Sequence, residues 1–171
     1  MTMEDNDKKR EILSREDIYE CGELEKEIDI DFETFPLVDL MKVCIDFILN
    51  RILAKENIQK LSIDRETEMK AKRFMLQAKA YFCERTITKE ALLEERLSCW
   101  SAHRESAHES AQRNLYRLIV CFLFDEETSE ENAECRQDSE LFIIFHCLYE
   151  LGSGYCKQFR LYLQKEFNSI K

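Results

Sequence analysis

Apolar positions along this chain recur at intervals of three and four, the period of helices with one buried face. The densest run is Asn114–Phe124, Asn-Leu-Tyr-Arg-Leu-Ile-Val-Cys-Phe-Leu-Phe, whose apolar and aromatic side chains point all round a helix axis. A helix without a polar face must be surrounded, so about 114–124 is expected at the centre of a bundle. Its uncharged apolar core, Leu118–Phe124, is far shorter than the roughly 20 residues that cross a bilayer. Leu141–Tyr149 repeats the pattern, and about 140–151 is expected as a second central helix. Gly152-Ser-Gly154 then supplies a cap and turn. A last amphipathic helix of about 154–168 follows, with Tyr155, Phe159, Tyr162, Leu163 and Phe167 on one face.

Upstream, Leu37, Leu40, Met41, Cys44, Ile45, Ile48, Leu49, Ile52 and Leu53 predict a helix of about 36–60. Pro36 sits in its first turn, where a missing N–H costs nothing. Met69, Phe74, Met75, Ala78, Tyr81 and Phe82 predict another, about 63–84, with Lys70, Arg73 and Lys79 on its other face. The two are expected to form an antiparallel hairpin. After Thr88, a helix cap, an apolar or small residue recurs at Leu93, Leu97, Trp100, Ala107, Ala111, Leu115, Leu118 and Phe122, with Arg104 at one station of the row. A single helix of 89–124 would be about 54 Å long. Its middle, Ser101–Ala111, is too polar to pack, so a break is expected, leaving helices of about 89–107 and 110–124.

The ends of this pattern are acidic. Residues 1–13 lack apolar periodicity and read as a disordered tail. Residues 14–35 hold a short acidic helix of about 15–27, begun by Ser14 with Asp17 and weakened by Gly22 at about 1 kcal/mol relative to alanine. Ile28-Asp-Ile30-Asp-Phe32-Glu-Thr-Phe35 then alternates with period two, an extended segment with one greasy edge. Residues 125–138 are expected as a solvated acidic loop, with at most a helical turn begun at Thr128. The fold class is all-α: a single-domain bundle of six or seven helices over 36–171 around the two central apolar helices.

Composition narrows the reading. Three glycines and one proline in 171 residues are too few for the turns of a sandwich or barrel. The net charge is −10, concentrated in residues 1–36 and 125–140, while Arg51–Lys89 is mildly basic. Such a field repels phosphate, so nucleic-acid binding is not expected. The eight cysteines follow a polar start without a signal peptide and form no Cys-x-x-Cys pair. They are expected as reduced thiols in an intracellular protein, cytoplasmic or nuclear.

No phosphate loop, nucleophile elbow, His-Glu-x-x-His or EF-hand sequence occurs. Glu105-Ser-Ala-His108 has the spacing of one di-iron half-site but no second copy. His103 and His108 diverge round a helix, as do His146 and Cys147. The acids Glu126, Glu127, Glu130 and Glu131 read as a solvated cluster rather than an ion site. The expectation is a non-enzymatic interaction module, an adaptor or regulator without cofactor or metal. It would bind another protein through a helical groove or through its acidic N-terminal segment. Candidate contact residues are Ile28, Ile30, Phe32 and Phe35 in that segment, and Trp100, Arg104, Ala107 and Ala111 on the long helix. The alternatives are an obligate subunit of a larger complex or a homodimer, in which Ala107 and Ala111 of a continuous helix allow close approach of another chain, and a thiol or metal enzyme. The apolar pair ringed by amphipathic helices resembles the layout of Bcl-2-type death regulators. Gly152-Ser-Gly154 falls at a helix turn but lacks the Trp and Arg of that family's Asn-Trp-Gly-Arg signature.

Overall fold

The computed structural model describes residues 15–28, 35–133 and 139–169, with 130–133 described by backbone alone. The expected tail 1–13 and the candidates Ile30 and Phe32 lie outside these residues. Among the described residues the chain forms nine α-helices and no strand. They are α1 Glu16–Glu27, α2 Leu37–Phe47, α3 Lys55–Lys60, α4 Arg65–Lys79, α5 Lys89–Glu105, α6 Ala111–Val120, α7 Glu126–Ala133, α8 Glu140–Leu151 and α9 Tyr155–Asn168. No helix among them is long and apolar enough to cross a membrane.

These helices gather into two compact units, one of α1, α8 and α9, the other of α2 to α7. The two apolar helices expected at one shared centre therefore belong to different units. What the apolar pattern of 140–151 does not reveal is its cover: α8 is flanked by α9 and by the acidic helix α1, which packs on both.

In the second unit α4 packs against α2, α5 and α6, and α5 lies along α6. Ile45, Ile48, Ile52, Phe74, Met75, Phe82, Leu92, Leu115, Leu118, Ile119, Phe122 and Leu123 are buried there. At roughly 1.5–3 kcal/mol for each large side chain, this apolar surface is what gathers the short helices. Phe74 meets Tyr116 edge to ring at 6.2 Å between centroids.

The expected helix of 36–60 is divided. After α2 the backbone widens into a π-helical stretch, Ile48–Ile52, closed by Leu53 N–H donating to the Ile48 carbonyl at 2.9 Å, and extended Ala54 then caps α3. The helix of 63–84 likewise ends in a π-helical stretch, Ala80–Glu84, before Arg85 turns into the left-handed region at φ 55°. Met69, expected on the buried face of α4, points to solvent at 63% exposure, because Thr67, Ala71, Phe74, Met75 and Ala78 take the inner face.

The break within 89–124 is present. α5 ends at Glu105, Glu109 adopts φ 58°, and the Ser110 hydroxyl accepts the Arg113 N–H to begin α6. Because the two helices fold back on each other, Ala107 is exposed in the connection and Ala111 opens α6. The continuous face that was to carry both alanines against another chain does not form. The acidic connection differs from expectation too. Asp125 accepts the Thr128 N–H and hydroxyl, and α7 starts at Glu126 with its acids at the favourable end of the helix dipole.

Candidate functional site

Two helix surfaces stand out, one filled by the chain itself and one open. The filled one is the seat of α1 in the first unit. α1 buries Cys21, Leu24 and Ile28, and with them two acids: the Asp17 side chain has no exposed surface and that of Glu20 retains 7%. A buried carboxylate is tolerable only when paired and hydrogen-bonded. Each is matched. Arg15 donates to Asp17 from Nη2 at 2.6 Å and from Nε at 3.2 Å, and the Ile18 N–H adds a third bond at 3.0 Å. His146 Nδ1 of α8 lies 3.0 Å from Asp17 Oδ2 and 2.9 Å from Arg15 Nη2. Nδ1 donates to the carboxylate in the tautomer that carries its proton and accepts from the guanidinium in the other. Burial pushes the Asp17 carboxyl upward, but the hydrogen bonds from Arg15, His146 and the Ile18 amide outweigh it and hold Asp17 below its ordinary value.

One helical turn on, Glu20 accepts Arg160 Nε of α9, and Arg160 Nη1 also donates to Glu27 at 2.8 Å. Burial works against the guanidinium charge, yet the two carboxylates hold Arg160 above its ordinary value. The third contact is a helix cap supplied from another helix. Gly154, at the N-cap of α9, has no side chain to offer, and the Glu16 carboxylate takes the N–H groups of Gly154 at 3.0 Å and Lys157 at 3.2 Å. Arg15 completes the rim, 5.0 Å above the Tyr149 ring.

The open surface is on α5. Leu92 and Cys99 are its buried residues, so Leu93, Leu97, Trp100 and Arg104 form a straight outer stripe at intervals of four, three and four. Leu93 is 40% exposed and Leu97 59%. Trp100 is half-buried, edge-on to His103 at 5.3 Å and beneath the Arg117 guanidinium at 5.6 Å. Arg96 lies 4.3 Å over Phe124, and its Nη1 is buried without a hydrogen-bond partner. Burial and the neighbouring Arg113, Arg117 and Arg104 push His103 below its ordinary value. This end of the stripe is electropositive, whereas Glu90 and Glu94 mark the other end.

Of the remaining candidates, Ile28 is 2% exposed and closes α1 through its N–H to Leu24, which makes it an interior residue and not a contact for a partner. Phe35 is half-buried. Glu105 and His108 share no helix face, since α5 ends between them. His146 turns to Asp17 while Cys147 is buried, so no thiol–imidazole pair forms. Glu126 accepts from Tyr81 at 2.6 Å and Arg85 at 2.8 Å, and Glu127 from Lys89 at 2.6 Å. No cluster with the makings of a metal site occurs among the described residues. An open hollow of about 220 Å³ between α4, α5 and α6 is lined by Asp64, Glu66, Lys70, Glu105 and Gln112. Its carboxylates are already engaged: Asp64 by Thr67 and Gln112, Glu66 by Lys70, Glu105 by Ser101.

The seat of α1 escaped the sequence reading because its contacts span about 130 residues and are carried by charge, which periodicity does not register. The signal that existed was the placing of Asp17, Glu20, Cys21, Leu24 and Ile28 on one face of a short helix. Compared with family models, curated proteins and solved structures, the chain matches none of them.

Proposed function

We propose that the chain is a non-enzymatic protein-interaction module, an adaptor or regulator, and that the α5 stripe is the surface its partner covers. The observation that carries this reading is the row Leu93–Leu97–Trp100, its leucines exposed and its tryptophan half-buried, about a third of a turn round the helix from buried Leu92 and Cys99 and edged by arginines. Isolated exposed leucines are ordinary, but a row at helical spacing ending on a half-buried tryptophan suits an amphipathic helix. Arg104, Arg117 and Arg96 favour acidic side chains on the partner where it passes Trp100. Trp and Arg are also the residue types most enriched where binding energy concentrates.

A photo-crosslinking residue at Leu97, in the tagged full chain expressed in its own cells, tests this. The expected result is one discrete adduct that is lost when Trp100→Ala and Arg104→Glu are added. No adduct at position 97, or adducts indifferent to both substitutions, would overturn the reading.

A further inference from the structure

In the first unit the acidic helix α1 is held by charged and polar groups that sit on two other helices, α8 and α9. We propose that the α8–α9 hairpin is a receptor for an acidic amphipathic helix presented by another protein, and that α1 is its resident, exchangeable occupant. The hairpin offers three carboxylate sockets in a fixed order. They are the N–H groups of Gly154 and Lys157, which hold Glu16; His146, which shares Asp17 with Arg15 of the occupant's own segment; and Arg160, which holds Glu20. Beside them lie the sites that receive Cys21, Leu24 and Ile28. A helix-in-groove receptor reads its ligand by such anchors at successive turns, and here the ligand's chemistry is written out in α1.

The occupant is held less firmly than its seat permits. Gly22 lies in the middle of α1 without a positive φ, and a Cβ built there meets nothing within 4 Å. Neither backbone conformation nor close packing calls for glycine. Its effect is to weaken the helix by a factor of about five relative to alanine. A receptor whose built-in ligand carries such a weakness yields to a competitor of the same pattern that lacks it.

The test is fluorescence anisotropy with a labelled peptide of residues 15–28 titrated with the full chain. Relative to the native chain, binding should weaken about fivefold in Gly22→Ala, whose α1 is the stronger competitor, and tighten at least tenfold in Glu20→Gln, whose α1 is the poorer one. A peptide with Glu16, Asp17 and Glu20 all amidated should bind at least tenfold more weakly. Hydrogen exchange should show α1 losing protection as the native peptide binds. Four results would overturn the proposal: no binding to either variant, affinity indifferent to Gly22→Ala, equal binding of the neutral peptide, or a concentration-dependent dimer in light scattering that the peptide disperses. The last assigns the seat to a second copy of this chain. Should Glu20→Gln fail to fold, Gly22→Ala still decides, because it strengthens α1.

Discussion

Arg160→Met removes the cation that Glu20 depends on. The Glu20 side chain is 7% exposed and that of Arg160 13%, so the substitution leaves a carboxylate buried beside a thioether. Breaking a buried pair in this way costs about 3–5 kcal/mol. The contact to Glu27, itself 33% exposed, adds under about 1 kcal/mol. With some water reaching both groups, the lower end applies, and α1 should lose about 3 kcal/mol of its hold. At about 1.4 kcal/mol per tenfold, its opening equilibrium rises by roughly two orders of magnitude. Hydrogen exchange with mass spectrometry reads this directly in the amides of residues 17–27. The companion variant Glu20→Leu with Arg160→Met replaces both charges by apolar groups and should return to within about 1 kcal/mol of the native chain. A single variant whose α1 protection changes by less than threefold would refute the reasoning, as would a double variant as open as the single one.

Other consequences are directly measurable. Because the Asp17 carboxyl is held below its ordinary value in the folded chain, its contribution is complete above the unfolded value of about 4 and is lost as pH falls through the lower folded one. Thermal melts between pH 6 and pH 2, pH values chosen to bracket that window, should therefore show an acid limb that Asp17→Asn flattens. Burial lifts the thiols of Cys21 and Cys99 to about 12 and those of Cys44 and Cys156 higher still, while Cys83 is half-exposed. Brief alkylation of the native chain at mildly alkaline pH, followed by peptide mapping, should mark Cys83 first among these; equal labelling of Cys44 would contradict the packing. Gly152→Ala would place a Cβ 2.9 Å from the ring of Tyr155, which is 1% exposed and has no room to yield. It should cost about 1–3 kcal/mol, seen as a lowered melting temperature.

Helix content was legible because the rows at three and four leave little freedom once a chain has almost no glycine or proline. The break after Glu105 was legible as well, since Ser106–Ser110 has no apolar side chain large enough to hold a rod together. What escaped were features that depend on which neighbour a face meets. On α5 two rows compete, Leu92 with Cys99 and Leu93 with Leu97, and only the packing against α4 and α6 decides that the first turns inward. Trp100 and Arg104 were picked out as contact candidates from the same row of positions that holds Leu93 and Leu97, yet these two leucines, 40% and 59% exposed, were not. Ile28 went the other way, because an alternating pattern does not reveal that its first residue, although extended, caps the preceding helix and is buried with it.

The grouping of α1 with α8 and α9 gives the chain an order of assembly. Roughly 140 residues separate α1 from the end of α9, so at a synthesis rate of about 5–20 residues per second α1 waits some 7–28 s for its seat to be made. During that interval α2 to α7 have all their mutual contacts within reach, while the acids of α1 remain hydrated and soluble on the nascent chain. The apolar helix α8 then emerges to find its polar-edged companion already waiting, and the last unit to close is the one whose first helix was the earliest to be synthesised.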